Sequence, residues 1–176
     1  KIKAKYKKNS IEIPCAKDGL SVFLNKGNKV SELTIQQLGD IFSGKITNWK
    51  LVGGDDAKIQ LYGRESSSGT YEFFKEHVVQ TDYAASCQTL PGTAAIINAV
   101  KKDKYSIGYG GAAYAEGVKD CKVKKDAKST AYLPTAENIK NKSIPLVHKD
   151  RSDNAQLMVS NLRIDIEKAK VDAAMS

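Results

Sequence analysis

Apolar positions recur at helical spacing along several stretches of the chain. Over Ser31–Phe42, residues Ile35, Leu38, Ile41 and Phe42 fall on one face and Gly44 follows as a stop, which predicts a helix. A second helix is predicted from Ser68 onward, with Tyr71, Phe73, Phe74, His77 and Val78 available for its buried side. Gly92–Lys102 predicts a third, burying Ile96, Ile97 and Val100. Asp153–Met175 predicts a long amphipathic helix on Met158, Leu162, Ile166, Ala169 and Ala173. Strand-like stretches lie between. Lys1–Lys8 alternates Lys with Ile2, Ala4 and Tyr6, as an edge strand does. Ile11–Asn25 reads as extended, broken by Pro14 and Asp18-Gly19, and Ile59–Tyr62 reads as a short strand. Tyr105–Tyr109 reads as a strand ending in a Gly110-Gly111 turn. Lys45–Asp56 is expected to be a loop carrying the only Trp, Trp49, with its ring buried; Tyr132–Leu146, with Pro134 and Pro145, is expected to be irregular. Strands and helices alternate, so the class is α/β.

The length of 176 residues suits about one domain, and 41% hydrophobic with 27% charged residues reads as globular rather than disordered. No run of ~18 apolar residues occurs, so no membrane-spanning helix is expected. The opening KIKAKYKKNS lacks the apolar core of a secretory signal, so the chain is expected to be cytoplasmic or a mature or trimmed form. The net charge of +8 is concentrated: Lys1–Lys8 carries +5 and Lys119–Lys128 carries +3, leaving the remainder neutral. Both clusters read as solvated, solubilising edges. The only arginines are Arg64, Arg151 and Arg163, and neither Arg forks nor interleaved aromatics accompany the lysines, so no nucleic-acid partner is expected. Cys15, Cys87 and Cys121 are far apart and the only histidines are His77 and His148, so no zinc site is expected. A Cys87–Cys121 disulfide and three buried apolar thiols are both open readings.

The densest chemistry lies in Ile59–Lys75, IQLYGRESSSGTYEFFK, where a strand runs through Arg64, three Ser, Gly69 and Thr70 into a helix. The first amides of a helix lack intrahelical partners and carry the positive end of its dipole. Ser68 and Thr70 add hydroxyl donors, Gly69 admits close approach to the backbone, and Arg64 offers a planar charged fork. Together they form a candidate oxyanion cradle. The same residues also fit a plain Ser N-cap with Arg64 in a surface ion pair. In either case Arg64 is expected to face the surface, so that its loss leaves stability nearly unchanged. Other motifs fail. Gly63 and Gly69 lie too far apart for a phosphate-binding P-loop and the Lys is missing. Neither Ser67 nor Ser68 sits in G-x-S-x-G, and nothing places a His beside the Ser run, which leaves a serine hydrolase the weakest reading. Gly108–Ala113 (GYGGAA) lacks the acidic residue about 20 positions on that a dinucleotide fold wants.

Three blocks in order carry a wider likeness: LTIQQLGDIFSGKITNWKLVGG (Leu33–Gly54), IQLYGRESSSGT (Ile59–Thr70) and SIGYGGAAYA (Ser106–Ala115). Together they resemble the phosphate-binding proteins of bacterial ABC-type phosphate uptake, from about Ile11 to about Leu146. The resemblance implies a type 2 periplasmic-binding-protein fold, in which two α/β lobes joined by hinge strands close over a dehydrated phosphate. It implies ligand contacts from Arg64, Ser67, Ser68, Gly69 and Thr70, with Arg64 pairing the anion's charge and the hydroxyls and amides donating. Ser66 or Ser67 stands in where the family often has an acidic residue, and Ser143–His148 blurs the family's aromatic-Pro-Leu-x-Arg. Residues 1–24 are expected to form entering strands and hinge, 25–131 one complete lobe, and 132–176 the return hinge and a C-terminal helix of the other lobe, with no match for Arg151–Ser176. The implied role is non-enzymatic capture of inorganic phosphate for an ABC transporter permease, with no cofactor. The implied location is periplasmic or extracellular and membrane-associated, with room for a lipid anchor upstream. A sensor or interaction module that kept the fold without transport is the alternative.

Overall fold

The computed structural model describes residues 18–141, 143 and 145–148. The strand expected at Lys1–Lys8, the first half of the Ile11–Asn25 stretch, Cys15 and the helix expected at Asp153–Met175 lie outside the described residues. A central sheet is built from β1 (Asp18–Leu24), β2 (Glu32–Thr34), β3 (Gln60–Arg64), β4 (Gln88–Leu90), β5 (Ser106–Gly111) and β6 (Lys119–Lys124), in the order β2-β6-β1-β5-β3-β4. A short β7 (Val147–His148) pairs with the start of β1. β1 is antiparallel to both β5 and β6, while β2 is parallel to β6 and both β4 and β5 are parallel to β3. β7 is antiparallel to β1 as well, so six strands point the same way and β1 runs against them.

Both faces of this sheet are covered, as strands with buried residues on both sides require. On one face Val22, Leu24, Leu61, Ile107, Tyr109, Cys121 and Val123 pack with α1 (Ile35–Phe42) and α2 (Gly69–Phe74). On the other, Phe23 packs with Ile96, Ile97 and Val100 of α3 (Gly92–Lys102). Bounds and buried face of α3 are those expected. α1 starts at Ile35 rather than Ser31, because Thr34 is the cap: its Oγ1 accepts from the Gln37 amide at 3.0 Å while the Gln37 side chain accepts from the Thr34 amide at 2.9 Å. Gly44, at φ 84°, supplies the left-handed stop as expected. α2 continues as a π-helical turn over Lys75–Val79. His77 lies exposed along it, stacked on Phe73 at 4.2 Å between ring centres, so the expectation that it is buried is corrected.

Other corrections have local causes. Lys119–Lys124 is an inner strand rather than a solvated edge: Cys121 and Val123 are buried alternately with exposed Lys122, and the Lys124 ammonium reaches Glu32 at 2.8 Å. The irregular Tyr132–Leu146 segment holds α4 (Ala136–Lys140), capped by Thr135. Gly110 and Gly111 do not turn the strand but end β5 itself. Gly108 and Gly110 lie under α3, where an added Cβ would meet Ile96 Cγ2 at 2.3 Å and Thr93 Cγ2 at 2.4 Å respectively. These glycines let the helix approach the sheet. Gly108→Ala is expected to destabilise by about 1–3 kcal/mol through overpacking, read as a lower urea midpoint at unchanged slope.

The topology gathers helix starts on one sheet edge. α1 follows β2 directly, the Arg64 loop leads from β3 into α2, and α3 follows β4 after a single residue, Pro91. These strands are parallel, so the amino ends of all three helices lie at the edge where the strands finish. Ligands of open α/β sheets bind at that edge.

Candidate functional site

β3 delivers Arg64 as its last residue, and α2 takes up the chain at Gly69. The intervening turn is closed by the Ser68 amide, which donates to the Glu65 carbonyl at 3.0 Å. Ser68 is extended (φ −83°, ψ 128°) and its Oγ accepts from the Thr70 amide at 3.2 Å, satisfying one of the orphan donors of α2. The hydroxyl accepts in that bond, so its own proton is not spent on it. Ser68 and Thr70 are buried, Gly69 is half-buried, and Ser66 and Ser67 are exposed.

Arg64 goes elsewhere. Gly63 faces Cys87 and the Tyr109 hydroxyl on the α1/α2 side, so strand alternation turns Arg64 toward α3. Its guanidinium donates from Nε to Glu65 Oε2 at 2.9 Å, from Nη2 to Glu65 Oε1 at 2.8 Å, and from Nη1 to Thr93 Oγ1 at 3.2 Å. The Gly92 amide, at the start of α3, donates to Glu65 Oε2 at 3.2 Å. The side chain of Arg64 is 13% exposed, which corrects the expectation of a surface-facing arginine. The loop thus brings Ser68, Gly69 and Thr70 into one turn, while the fork of Arg64 is held against Glu65 and the start of α3. Sequence reasoning missed Glu65 and Thr93 as the holders of that fork. The adjacent Arg-Glu pair was a readable signal for the first; nothing local signalled the second, which is 29 positions away.

The charges follow from this geometry. The hydrogen bond from Arg64 is the largest cause holding the Glu65 carboxyl at about 2, against the upward push of burial. The same bond raises Arg64. At neutral pH the pair is fully ionised and carries no net charge, so the turn presents directed donors and a helix dipole rather than excess charge. The sign for stability is that of a depressed acid: Glu65 contributes fully above its usual 4.5, and that contribution is lost as pH falls toward about 2. Glu65→Gln is expected to lose less stability than the parent protein between about pH 5 and pH 3, measured by urea midpoints at each pH.

Other reactive groups are quiet. Cys87 and Cys121 are both free, and burial pushes their thiols up to about 11 and about 12. Of the two open readings for this pair, unpaired thiols are what the structure holds. Among the described residues, no group of three or more His, Cys, Asp or Glu is placed to hold a metal ion.

A sheet covered on both faces, with helix amino ends and the Arg64–Thr70 loop on one edge, gathers hydrogen-bond donors of the kind a small anion can accept from. The chain matches the PBP superfamily domain over residues 1–165 and belongs to that superfamily. Its relatives are specific. It is 39% identical over 142 residues to the phosphate-binding protein PstS of Staphylococcus epidermidis, covering 77% of this chain and 43% of that protein. To PstS of Pseudomonas aeruginosa it is 33% identical over 156 residues, covering 81% and 48%. The crystal structure of an ABC-type phosphate transport receptor from Vibrio cholerae superposes with a TM-score of 0.69 at 27% identity, covering 89% of this chain and 68% of that one. The chain spans about half the length of the curated relatives it matches. The α/β class and the likeness to phosphate-binding proteins read from the sequence are both borne out.

Proposed function

We propose that this protein binds inorganic phosphate, without transforming it and without a cofactor, as the solute-binding component of an ABC-type uptake system. The single observation that carries this is the position of the Arg64–Thr70 segment. It lies at a strand-to-helix junction, on the edge where three helices begin, in a chain 39% identical to a PstS protein. Ser68 and Thr70 hydroxyls and the Gly69 amide donate to the anion, Ser67 closes the exposed side of the turn, and Arg64 supplies the charged fork. Ionised Glu65, whose side chain is 35% exposed, lies beside these donors and can accept a hydrogen bond from a protonated phosphate, whereas sulfate offers it no proton and meets a like charge. Residues 25–131 form the lobe that carries these donors. In the proposed division the other lobe and hinge draw on residues 1–24 and 132–176, with β1 shared into the sheet. Delivery to a membrane permease from the periplasmic or extracellular side, with the protein held at the membrane, completes the proposal. Among the described residues no helix is long and apolar enough to cross a membrane.

Isothermal titration of the full-length protein with phosphate and with sulfate tests the reading. Heat with phosphate and little with sulfate is expected; no heat from either ion contradicts it.

A further inference from the structure

The Arg64–Thr70 loop is tied at both ends by one chain of hydrogen bonds that runs beneath it. The Arg64 amide donates to the Tyr109 hydroxyl at 3.4 Å. The Tyr109 and Tyr83 hydroxyls are 2.8 Å apart. Tyr83 in turn donates to the Tyr71 carbonyl at 3.3 Å. Each phenol has one proton. Tyr83 spends its proton on Tyr71, so Tyr109 must donate to Tyr83 while accepting from Arg64. The chain therefore has one direction, from the amide at the end of β3 to a carbonyl in the first turn of α2. Both rings are also held by ring contacts. Tyr109 is fully buried, stacked on Phe74 at 3.9 Å and edge-on to Phe42 at 5.4 Å; Tyr83 stacks on Tyr71 at 4.9 Å. Burial pushes Tyr109 up to about 12 and Tyr83 higher, so both keep their protons throughout the neutral range.

We infer that Tyr109 and Tyr83 are positioning residues: they clamp the two ends of the Arg64–Tyr71 segment at a fixed separation and so preorganise its donors for an anion. Surface loops are ordinarily the mobile parts of a fold, and ordering donors at the moment of binding weakens affinity. This clamp does the ordering beforehand, from a rigid aromatic floor. That the ordered donors serve phosphate rests on the proposed function; that the loop is clamped does not.

Tyr83→Phe keeps the stacked ring and removes only the hydroxyl. In the full-length protein, amide hydrogen exchange at Ser66–Thr70 is expected to accelerate about tenfold, with β1 and β5 keeping their protection, and the phosphate dissociation constant is expected to rise about tenfold. Tyr109→Phe is expected to do the same, and the double variant little more, because either substitution breaks the one chain. Unchanged exchange in the loop, or equal acceleration in the loop and β5, overturns the clamp. If the unsubstituted protein gives no heat with phosphate, the function reading fails, while exchange in the ligand-free protein still decides for or against the clamp.

Discussion

Arg64→Ala is expected to weaken phosphate binding by about 2–4 kcal/mol, roughly 30- to 1,000-fold. Removing the fork takes away the only permanent positive charge placed on the loop and leaves ionised Glu65 with only the Gly92 amide, beside an anion. The second effect makes the loss larger than that of a neutral donor. It also makes a sharper prediction: Arg64→Ala with Glu65→Gln should bind phosphate better than Arg64→Ala alone. Arg64→Lys keeps the charge but cannot span Glu65 and Thr93 together, so it should recover only a small part of the affinity. The burial of Arg64 adds a stability effect that the sequence reading excluded. Its loss frees Thr93 and Glu65, and a fall of about 1 kcal/mol is expected from the broken hydrogen bonds. Titration calorimetry measures the first effect and urea midpoints the second. An Arg64→Ala protein that binds phosphate as the parent does would contradict the role given to the guanidinium.

Trp49→Ala should act on stability alone. Trp49 opens a 3₁₀ turn over Trp49–Val52, capped by the Asn48 side chain and closed by Gly53 at φ 82°. Its ring is fully buried and its indole N–H donates to the Tyr105 carbonyl at 2.8 Å. Truncation leaves a large cavity and removes one of the two hydrogen bonds to the Tyr105 carbonyl, which keeps the Gln60 amide at 3.0 Å; the loss is about 3–5 kcal/mol, mostly from the cavity. That is a large share of the roughly 5–15 kcal/mol typical of a folded domain. Tyr105 immediately precedes β5, and the ladder pairs Gln60 with Ser106 there, so Trp49 sits at the opposite end of the strands from Arg64. The folded fraction should therefore bind phosphate normally. Far-ultraviolet circular dichroism is the suitable probe of unfolding, since the substitution removes the only tryptophan.

Sequence legibility followed the length and purity of each signal. α3 spans three turns with a clean apolar face, and its bounds and buried side were readable. α1 was placed but begun too early, although Thr34 and Gln37 spell a capping box three residues apart. β6 alternates buried and exposed residues at period two, but its lysines hid the pattern inside a basic cluster. α4 is five residues long, too short for periodicity to register. At the site, the residue types of the loop were legible because glycine, hydroxyls and arginine adjoin a helix start. What holds them was not: Thr93 and Tyr109 reach Arg64 across 29 and 45 positions, by packing that no local window contains. The same packing buries Arg64, which is why its expected exposure was wrong.

The most direct test is a phosphate titration of the isotopically labelled full-length protein, followed residue by residue in nuclear magnetic resonance spectra. Saturable shifts centred on the Ser68, Gly69 and Thr70 amides and the Arg64 side chain are predicted. Shifts centred elsewhere at saturation, or none with phosphate in large excess, would contradict the account.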